Sequence, residues 1–233
     1  MIILNCRQGR MSNHKIMQAH VMAEALSRGE RWYVAPENWF WKLEATTLGR
    51  IWNKFVRMLP KAEGSRNRCF RLPGLTVVHG WTELRNFEAM KKYGDEIRKM
   101  FTPAVYECLA AKNAKLVGVH VRRTDYREWQ NGKYCFGNDV YERIIDEIRE
   151  EVGGDACFAV FTDEPESLGP ILSELNEQPT TAERDQWLMS KCDYLIGPPS
   201  TFTLWASFMG KVPLLHLESA EQNVRMEDFC MKW

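Results

Sequence analysis

Residues 115–126, Lys-Leu-Val-Gly-Val-His-Val-Arg-Arg-Thr-Asp-Tyr, decide the fold of this chain. From 116 to 121 the stretch is apolar and rich in β-branched residues, which predicts a buried parallel strand. Arg122 and Arg123 follow at once, so two guanidinium groups are expected at the carboxyl edge of a sheet, where open α/β folds bind ligands. A guanidinium group donates two parallel hydrogen bonds that match a phosphate. The stretch therefore predicts a phosphate site.

The charge balance excludes a broad basic surface. The chain has 233 residues, with 31 Lys and Arg against 31 Asp and Glu, so its net charge is zero. A protein that binds nucleic acid through a basic field needs an excess of positive charge, and we expect no nucleic-acid partner here. Any anion site must be local.

Cysteine usage and the lengths of apolar runs bear on where the protein works. The seven cysteines are scattered without a Cys-x-x-Cys pair, a pattern that favours neither a zinc site nor a disulfide framework. The first seven residues lack the basic and long apolar regions of a signal peptide. No apolar run approaches the roughly 18 residues of a membrane span. We expect a reduced, cytoplasmic protein without a transmembrane segment.

The first half begins as a strand, a glycine-containing turn and a helix. Residues 2–6 are apolar, Gly9 lies in the turn, and apolar residues recur at helical spacing over 16–26. Ser12 or Asn13 is predicted to cap the helix. Turn chemistry alone would explain Gly9 and Asn13 as well as a ligand loop does, because a single glycine is weaker than Gly-x-Gly-x-x-Gly.

The remainder of the first half predicts two more strands and a boundary. Strands are expected at 31–35 and 75–79, with a basic surface loop over 59–71 between them. A polar link precedes the opening stretch, and we place the domain boundary there. The chain is thus predicted to form an N-terminal domain, residues 1–112, and a C-terminal domain, residues 113–233.

The second half alternates regularly between strands and helices. A polar loop is predicted over 126–137 and a helix over 139–152 with one apolar face. Strands follow at 157–161, 194–196 and 212–217, separated by helices that include 201–209. This alternation predicts an α/β fold with a parallel, doubly wound sheet whose ligands lie at the carboxyl edge.

Three polar features are expected to meet at that edge. Arg122 and Arg123 follow one strand, Asp163 follows the next, and Ser200-Thr201 begin a helix. The start of a helix presents N–H groups to an anion, and a carboxylate is suited to a ribose hydroxyl or a base edge. Together these features describe a site for a nucleotide diphosphate.

Asp185 is a further candidate. It shares one helical stripe with Leu188, Met189 and Cys192, so its carboxylate is predicted to point inward. A buried carboxylate needs a partner. The sequence leaves open whether that partner is structural or a ligand.

Two motifs that are absent from the sequence bear on how a diphosphate would be neutralised. The chain has no Gly-x-x-x-x-Gly-Lys-Ser/Thr loop and no convincing Asp-x-Asp pair. Neutralisation of a diphosphate by arginine and a helix dipole is therefore favoured over a metal bridge. No metal site and no cofactor are expected.

Three motifs resemble those of the fucosyltransferase superfamily. Residues 120–126, His-Val-Arg-Arg-Thr-Asp-Tyr, are similar to the His-x-Arg-Arg-x-Asp-Tyr signature of the α-1,2-fucosyltransferases, of which the α-1,6- and protein O-fucosyltransferases carry variants. Residues 9–13, Gly-Arg-Met-Ser-Asn, resemble their Gly-x-x-x-Asn loop. The segment 185–205, which runs into Ser-Thr-Phe-Thr-Leu-Trp, resembles their last motif. The motifs occur in the family's order and span nearly the whole chain.

The resemblance implies a fold and a reaction. The fold would be GT-B-like, with two Rossmann-like domains whose parallel sheets face a central cleft. The reaction would transfer L-fucose from GDP-fucose to a hydroxyl of a glycan acceptor, with inversion at the anomeric carbon and without a metal. The motifs and the sheet-edge argument together define a candidate site, with catalytic residues Arg122, Arg123 and Asn13 and donor-binding residues Gly9, Arg10, His120, Asp163, Asp185, Ser200, Thr201 and Phe202.

The departures from the family pattern keep several alternatives open. Thr124 stands where the family has glycine, Thr203-Leu204 replaces serine and tryptophan, and the chain is short, which suggests a trimmed first domain. A different nucleotide sugar, or a non-catalytic nucleotide- or glycan-binding module, remains an alternative. Asp125 is either a base or the clamp of an arginine. Pleat alternation places His120 and Arg122 on one face and Arg123 on the other, unless the strand end twists.

Overall fold

The computed structural model describes residues 1–5, 10–34, 47, 51, 69–79, 85–103, 114–152, 156–177 and 181–233. The chain divides into two compact units, one of Met1–Phe101 with Trp233 and one of Thr102–Lys232. The boundary predicted after residue 112 falls within 104–113, outside the described residues.

The first unit is a four-stranded mixed sheet with helices. In chain order its described elements are β1 (Ile2–Asn5), α1 (Met11–Ser27), β2 (Trp32–Val34), β3 (Cys69–Leu72), β4 (Leu75–His79) and α2 (Phe87–Phe101). The strand order is β2-β1-β4-β3, in which β1 pairs in parallel with β2 and β4.

The edge strand β3 corrects the sequence prediction. Residues up to 71 were predicted as a surface loop, and the sheet was predicted as parallel. Cys69–Leu72 instead pairs antiparallel with β4 through a tight turn at Pro73-Gly74. Gly74 has φ +74°, a conformation that glycine adopts without strain. The basic composition of the predicted loop did not indicate this short strand, because its pairing is set by the turn that follows it.

Helix α1 starts earlier than its apolar spacing indicated. Its N-cap is Arg10, whose backbone is extended and whose side chain makes no capping bond. Ser12 and Asn13 lie inside the first turn, and the Asn13 N–H donates to the Arg10 carbonyl at 3.0 Å. The predicted cap at Ser12 or Asn13 is therefore wrong. Met17 and other apolar residues of α1 pack on β1 to form the core of this unit.

The second unit is a fully parallel sheet between helices. Its elements are β5 (Lys115–Val121), α3 (Asn138–Val152), β6 (Ala156–Thr162), α4 (Pro170–Glu174), α5 (Ala182–Met189), β7 (Tyr194–Gly197), α6 (Thr201–Gly210) and β8 (Leu214–His216). The strand order is β6-β5-β7-β8, and every pairing is parallel. The chain leaves β5 to one side for β6 and returns on the other side at β7. The sheet therefore has a topological switch point between β5 and β7, where such folds bind ligands.

The pleat of β5 divides the core into two layers. Val117, Val119 and Val121 are fully buried in the cluster that contains the apolar face of α3. Leu116, on the other face, packs in the cluster formed by α5 and α6. Side chains alternate along a strand, so His120 belongs to the α5–α6 face.

The loop after β5 is more ordered and more aromatic than a polar loop. It forms two short 3₁₀ turns, Thr124–Arg127 and Trp129–Gly132. Gln130 and Asn131 both have left-handed backbones, with φ of 50° and 58°. Such a conformation costs roughly 1–2 kcal/mol for each non-glycine residue. The surrounding packing must hold this turn in place.

Among the helices of the described ranges, none combines the length and the apolar character needed to cross a lipid bilayer.

Candidate functional site

A polar cavity lies at the carboxyl edge of the second sheet. It has a volume of about 250 Å³. His120 and Arg122 line it from β5, Thr162 and Asp163 from the end of β6, and Phe202 from the first turn of α6. The cavity therefore occupies the switch point, and several of the predicted site residues meet there.

Arg122 is the arginine that lines the cavity. Its Nη1 lies 2.8 Å from Asp163 Oδ2, and its Nη2 lies 2.7 Å from Asp125 Oδ1. Its Nε also donates to Asp125 Oδ1 at 2.9 Å. Two carboxylates thus orient the guanidinium group. Asp125 holds an arginine, which matches the clamp interpretation of that residue.

Arg123 faces away from the cavity and is buried, with 6% of its surface exposed. Its guanidinium group donates to Asn138 Oδ1 at the start of α3 and lies over the Tyr141 ring, 5.7 Å from the centroid. Pleat alternation is confirmed here, and the strand end does not twist Arg123 into the cavity. The structure thus gives Arg123 a packing position, although the sequence nominated both arginines for the ligand.

Asp163 organises the loop after β5. Its Oδ1 accepts the backbone N–H of Arg123 at 2.9 Å, and its Oδ2 accepts the Thr124 hydroxyl as well as the Arg122 guanidinium. Both oxygens are therefore engaged within the protein. Asp163 also lines the cavity, and its predicted contact with a ribose hydroxyl or a base edge stays a prediction.

His120 and Phe202 form one wall of the cavity. Their rings stack with centroids 5.2 Å apart and an interplanar angle of 25°. Burial lowers the pKa of His120 to about 4, so the imidazole is neutral at physiological pH. Its Nδ1 is buried and has no hydrogen-bond partner among the described residues. Buried polar atoms without a partner are rare in folded proteins, which sets this nitrogen apart from most buried polar groups.

The start of α6 follows the predicted pattern only in part. Ser200 is the N-cap, and its Oγ accepts the Phe202 N–H at 3.0 Å. The Thr203 hydroxyl donates to the Ser200 carbonyl at 2.9 Å and lies 3.3 Å from His216 Nε2. Of Ser200, Thr201 and Phe202, Phe202 lines the cavity. The N–H of Phe202 is bonded to the Ser200 side chain. The contribution of α6 to the site is therefore the positive end of its helix dipole.

Asp185 lies where the helical stripe predicted. It is 8% exposed, sits in the first turn of α5 and lines the cavity. The next residue, Gln186, donates through Nε2 to the Phe202 carbonyl at 3.2 Å and so ties α5 to α6. The helix is capped by Thr181, whose hydroxyl accepts the Arg184 N–H. The cavity thus contains a second acidic group that is separate from the arginine clamp.

The predicted residues of the first unit lie at the beginning of α1. Arg10 is its exposed N-cap, and Asn13 is half-buried in its first turn. Gly9 lies outside the described residues. Within the described ranges, no group of three His, Cys, Asp or Glu side chains is arranged to hold a metal ion.

The sequence interpretation missed the aromatic cluster beside Arg122. The Arg122 guanidinium lies over the Tyr126 ring at 5.7 Å, and the Trp129 and Tyr126 ring centroids are 4.7 Å apart. The Tyr126 hydroxyl donates to the Pro199 carbonyl, which ties this loop to the turn before α6. Four aromatic residues within 126–137 were the available signal, but the polar residues around them favoured a loop.

The fold and the position of the cavity place the second unit among Rossmann-like α/β units that bind ligands at a switch point. The sequence model of glycosyl transferase family 11 matches residues 60–212, which is more than half of the chain. The chain therefore belongs to glycosyl transferase family 11, the α-1,2-fucosyltransferase family, and is a glycosyltransferase. The match includes the motifs at 120–126 and 185–205 and excludes residues 9–13. Comparison with curated proteins and with solved structures gave no significant match.

Proposed function

We propose that this glycosyltransferase transfers L-fucose from GDP-fucose to a hydroxyl group of a glycan, by direct displacement of GDP with inversion and without a divalent metal. In this proposal the fold is GT-B-like, and the residues of the first half that act on the donor are Gly9, Arg10 and Asn13. The observation that carries the proposal is Arg122, a cation held at the switch-point cavity by Asp125 and Asp163.

Arg122 is suited to stabilise the leaving group. As the bond to the sugar breaks, the diphosphate gains negative charge, and a fixed guanidinium group stabilises it without reorganisation. A phosphate gains this arginine by displacing one of its carboxylates. Asp125 is the more exposed partner, with 41% of its side chain accessible against 19% for Asp163. We infer that Asp125 yields Nε and Nη2 to the phosphate while Asp163 keeps its hold.

The carboxylate of Asp185 supports guanine as the base of the donor. An ionised carboxylate only accepts hydrogen bonds, and Asp185 presents one on the buried wall next to Phe202. Guanine offers a donor edge that includes its 2-amino group. The stacked His120 and Phe202 rings add an aromatic surface for a planar base. In this proposal Asp185 is a ligand contact.

The first test measures GDP binding by calorimetry in the presence of EDTA. We expect binding to persist in EDTA and Arg122→Ala to weaken it about 10- to 100-fold, because a charged hydrogen bond to phosphate is lost. Arg127→Ala is the matched control, since Arg127 pairs with Glu164 on the surface and does not line the cavity. Inosine diphosphate, which lacks the 2-amino group, should bind more weakly than GDP.

Several results would contradict the proposal or a part of it. No binding of GDP to the wild-type protein at high concentration would overturn a GDP-sugar donor. Loss of binding in EDTA would overturn metal independence alone. Release of GDP from GDP-fucose, compared with release from GDP-mannose and of UDP from UDP-galactose, identifies the sugar. Turnover with another nucleotide sugar and none with GDP-fucose would favour the alternative donor.

A further inference from the structure

Trp129 stands out from the other large apolar residues of the second unit. Its side chain is 40% exposed although two aromatic rings pack against it. Its ring centroid lies 4.7 Å from that of Tyr126 and 5.3 Å from that of Tyr134. The two tyrosines are buried, so the tryptophan is the outer ring of an aromatic cluster that is anchored in the core. We call Tyr126, Trp129 and Tyr134 the aromatic platform.

The platform contacts one residue of the donor cavity. The Tyr126 ring lies beneath the Arg122 guanidinium, at 5.7 Å from its centroid, and Arg122 lines the cavity. Because Trp129 packs on Tyr126, a single ring separates the exposed indole from Arg122.

Polar groups border the platform. The Tyr134 hydroxyl donates to Glu218 Oε2 at 3.2 Å and accepts from Lys133 Nζ at 3.1 Å. Gln130 and Asn131, next to Trp129, are exposed and are held in left-handed backbone conformations. This combination of an open aromatic face with carboxylate, ammonium and amide groups suits a sugar ring, which has an apolar C–H face and a rim of hydroxyls. It is less suited to an apolar protein surface, which offers no partners to those groups.

We propose that the aromatic platform binds a pyranose ring of the glycan acceptor, with Trp129 stacked on its C–H face and the bordering polar groups bonded to its hydroxyls. The proposal rests on the proposed function in so far as the bound ring is the acceptor. A transferase must hold the acceptor hydroxyl near the sugar donor, and the platform contacts Arg122, which lines the cavity, through Tyr126. Trp129 is thereby a determinant of acceptor binding and takes no part in holding GDP.

The test compares Trp129→Ala and Trp129→Phe with a matched control. Ile171→Ala is the control, since Ile171 is an apolar residue of the same unit that is 49% exposed and lies on α4, away from the platform contacts. Binding of the β-methyl glycosides of galactose, N-acetylglucosamine and mannose at millimolar concentration is read by saturation-transfer NMR. GDP affinity and the hydrolysis of GDP-fucose in the absence of acceptor are measured in parallel.

We expect at least one glycoside to bind the wild-type protein through its ring C–H protons. Trp129→Ala should abolish that signal and raise the acceptor KM about ten-fold, which is the order expected for removing a central aromatic contact. Trp129→Phe should retain most of the binding, and Ile171→Ala all of it. GDP affinity and donor hydrolysis should be unchanged in all three variants, which also shows that the cavity remains folded.

Two outcomes would overturn the proposal. One is that no glycoside binds the wild-type protein, and the other is that Trp129→Ala binds glycosides as the wild type does. A change in oligomeric state with unchanged glycoside binding would assign the platform to a protein contact instead. A failure of the proposed function would appear as absent GDP binding. It is distinguishable from a failure of this proposal, because glycoside binding is measured without any nucleotide.

Discussion

Two adjacent arginines have different surroundings and are expected to behave differently when replaced. Arg122 is clamped by Asp125 and Asp163 at the cavity, whereas Arg123 is buried over Tyr141 and bonded to Asn138. In the proposed function a phosphate replaces the Asp125 contacts of Arg122. The contacts of Arg123 join the end of β5 to α3. Because Arg123 is buried, no ligand or solvent group can take the place of these contacts.

Arg123→Ala should destabilise the second unit by roughly 2 kcal/mol or more, because a hydrogen bond from a buried charged group is lost and Asn138 loses its donor. Chemical denaturation of this variant beside Arg122→Ala is the measurement. We expect Arg122→Ala to unfold near the wild-type midpoint and to lose GDP, and Arg123→Ala to unfold early. Equal midpoints for the two variants would contradict the division of roles.

Thr124 gives a physical reason for one departure from the family pattern. Where the family has glycine, this chain places a hydroxyl that donates to Asp163 Oδ2, the oxygen that also holds Arg122. The substitution therefore adds a bond to the residue that orients the arginine. The contacts of Arg122 with Asp125 and Asp163 are present with threonine at this position.

At the scale of the elements, the approach of β7 to β5 sets the shape of the cavity. A Cβ added to Gly197 would lie 2.7 Å from the His120 carbonyl oxygen and 2.9 Å from the His120 Cβ. Both atoms belong to the central strand and cannot move without shifting the sheet. Glycine at 197 is thus required by the close approach of two backbones.

Gly197→Ala should destabilise the second unit by about 1–3 kcal/mol, the usual range for overpacking, and should weaken GDP binding by displacing His120. Gly169→Ala is the control. Its added Cβ would meet Glu142 Oε1 at 3.2 Å, the end of a flexible side chain that can move, and Asn138 Nδ2 at 3.4 Å, which is an ordinary van der Waals contact. Thermal unfolding with and without GDP distinguishes the pair, and wild-type stability of Gly197→Ala would contradict the close approach of β7 to β5.

Elements with strong local periodicity were predictable. The helix predicted over 139–152 is observed as Asn138–Val152, and its residues Ile144, Ile145 and Ile148 are fully buried. The strand Cys69–Leu72 was not predictable, because its pairing with β4 depends on a turn and not on its own composition. The exposed position of Trp129 was not predicted for a similar reason, since it depends on a backbone turn at Gln130 and Asn131 that no sequence pattern indicated.

At the scale of the whole molecule, buried histidines link stability to pH. Burial lowers the pKa of His20 in the first unit and of His120 and His216 in the second from 6.5 to about 4. Below pH 6.5 the unfolded chain binds protons at these sites that the folded chain does not bind. Stability is therefore present above pH 6.5 and is lost as the pH falls towards 4.

Amide hydrogen exchange, followed by peptides of each unit, measures this dependence. We expect protection in both units to fall between about pH 6.5 and about pH 4, after correction for the intrinsic exchange rate. His20→Gln should flatten the dependence in the first unit only, so the second unit serves as the internal control. A pH-independent stability across this interval would contradict the burial of neutral histidines.

The sequence by itself determined the strand and helix order of the second unit, the inward position of Asp185 and the family signature at 120–126, because these depend on local periodicity and short motifs. Pleat alternation also indicated that Arg122 and Arg123 differ. Only the tertiary structure decided that Arg122 lines the cavity, that Asp163 is occupied by the loop after β5, and that Trp129 is exposed on a buried aromatic cluster. These facts rest on contacts between residues far apart in the chain, such as Arg123 and Asp163 at a separation of 40 positions, which no local pattern encodes.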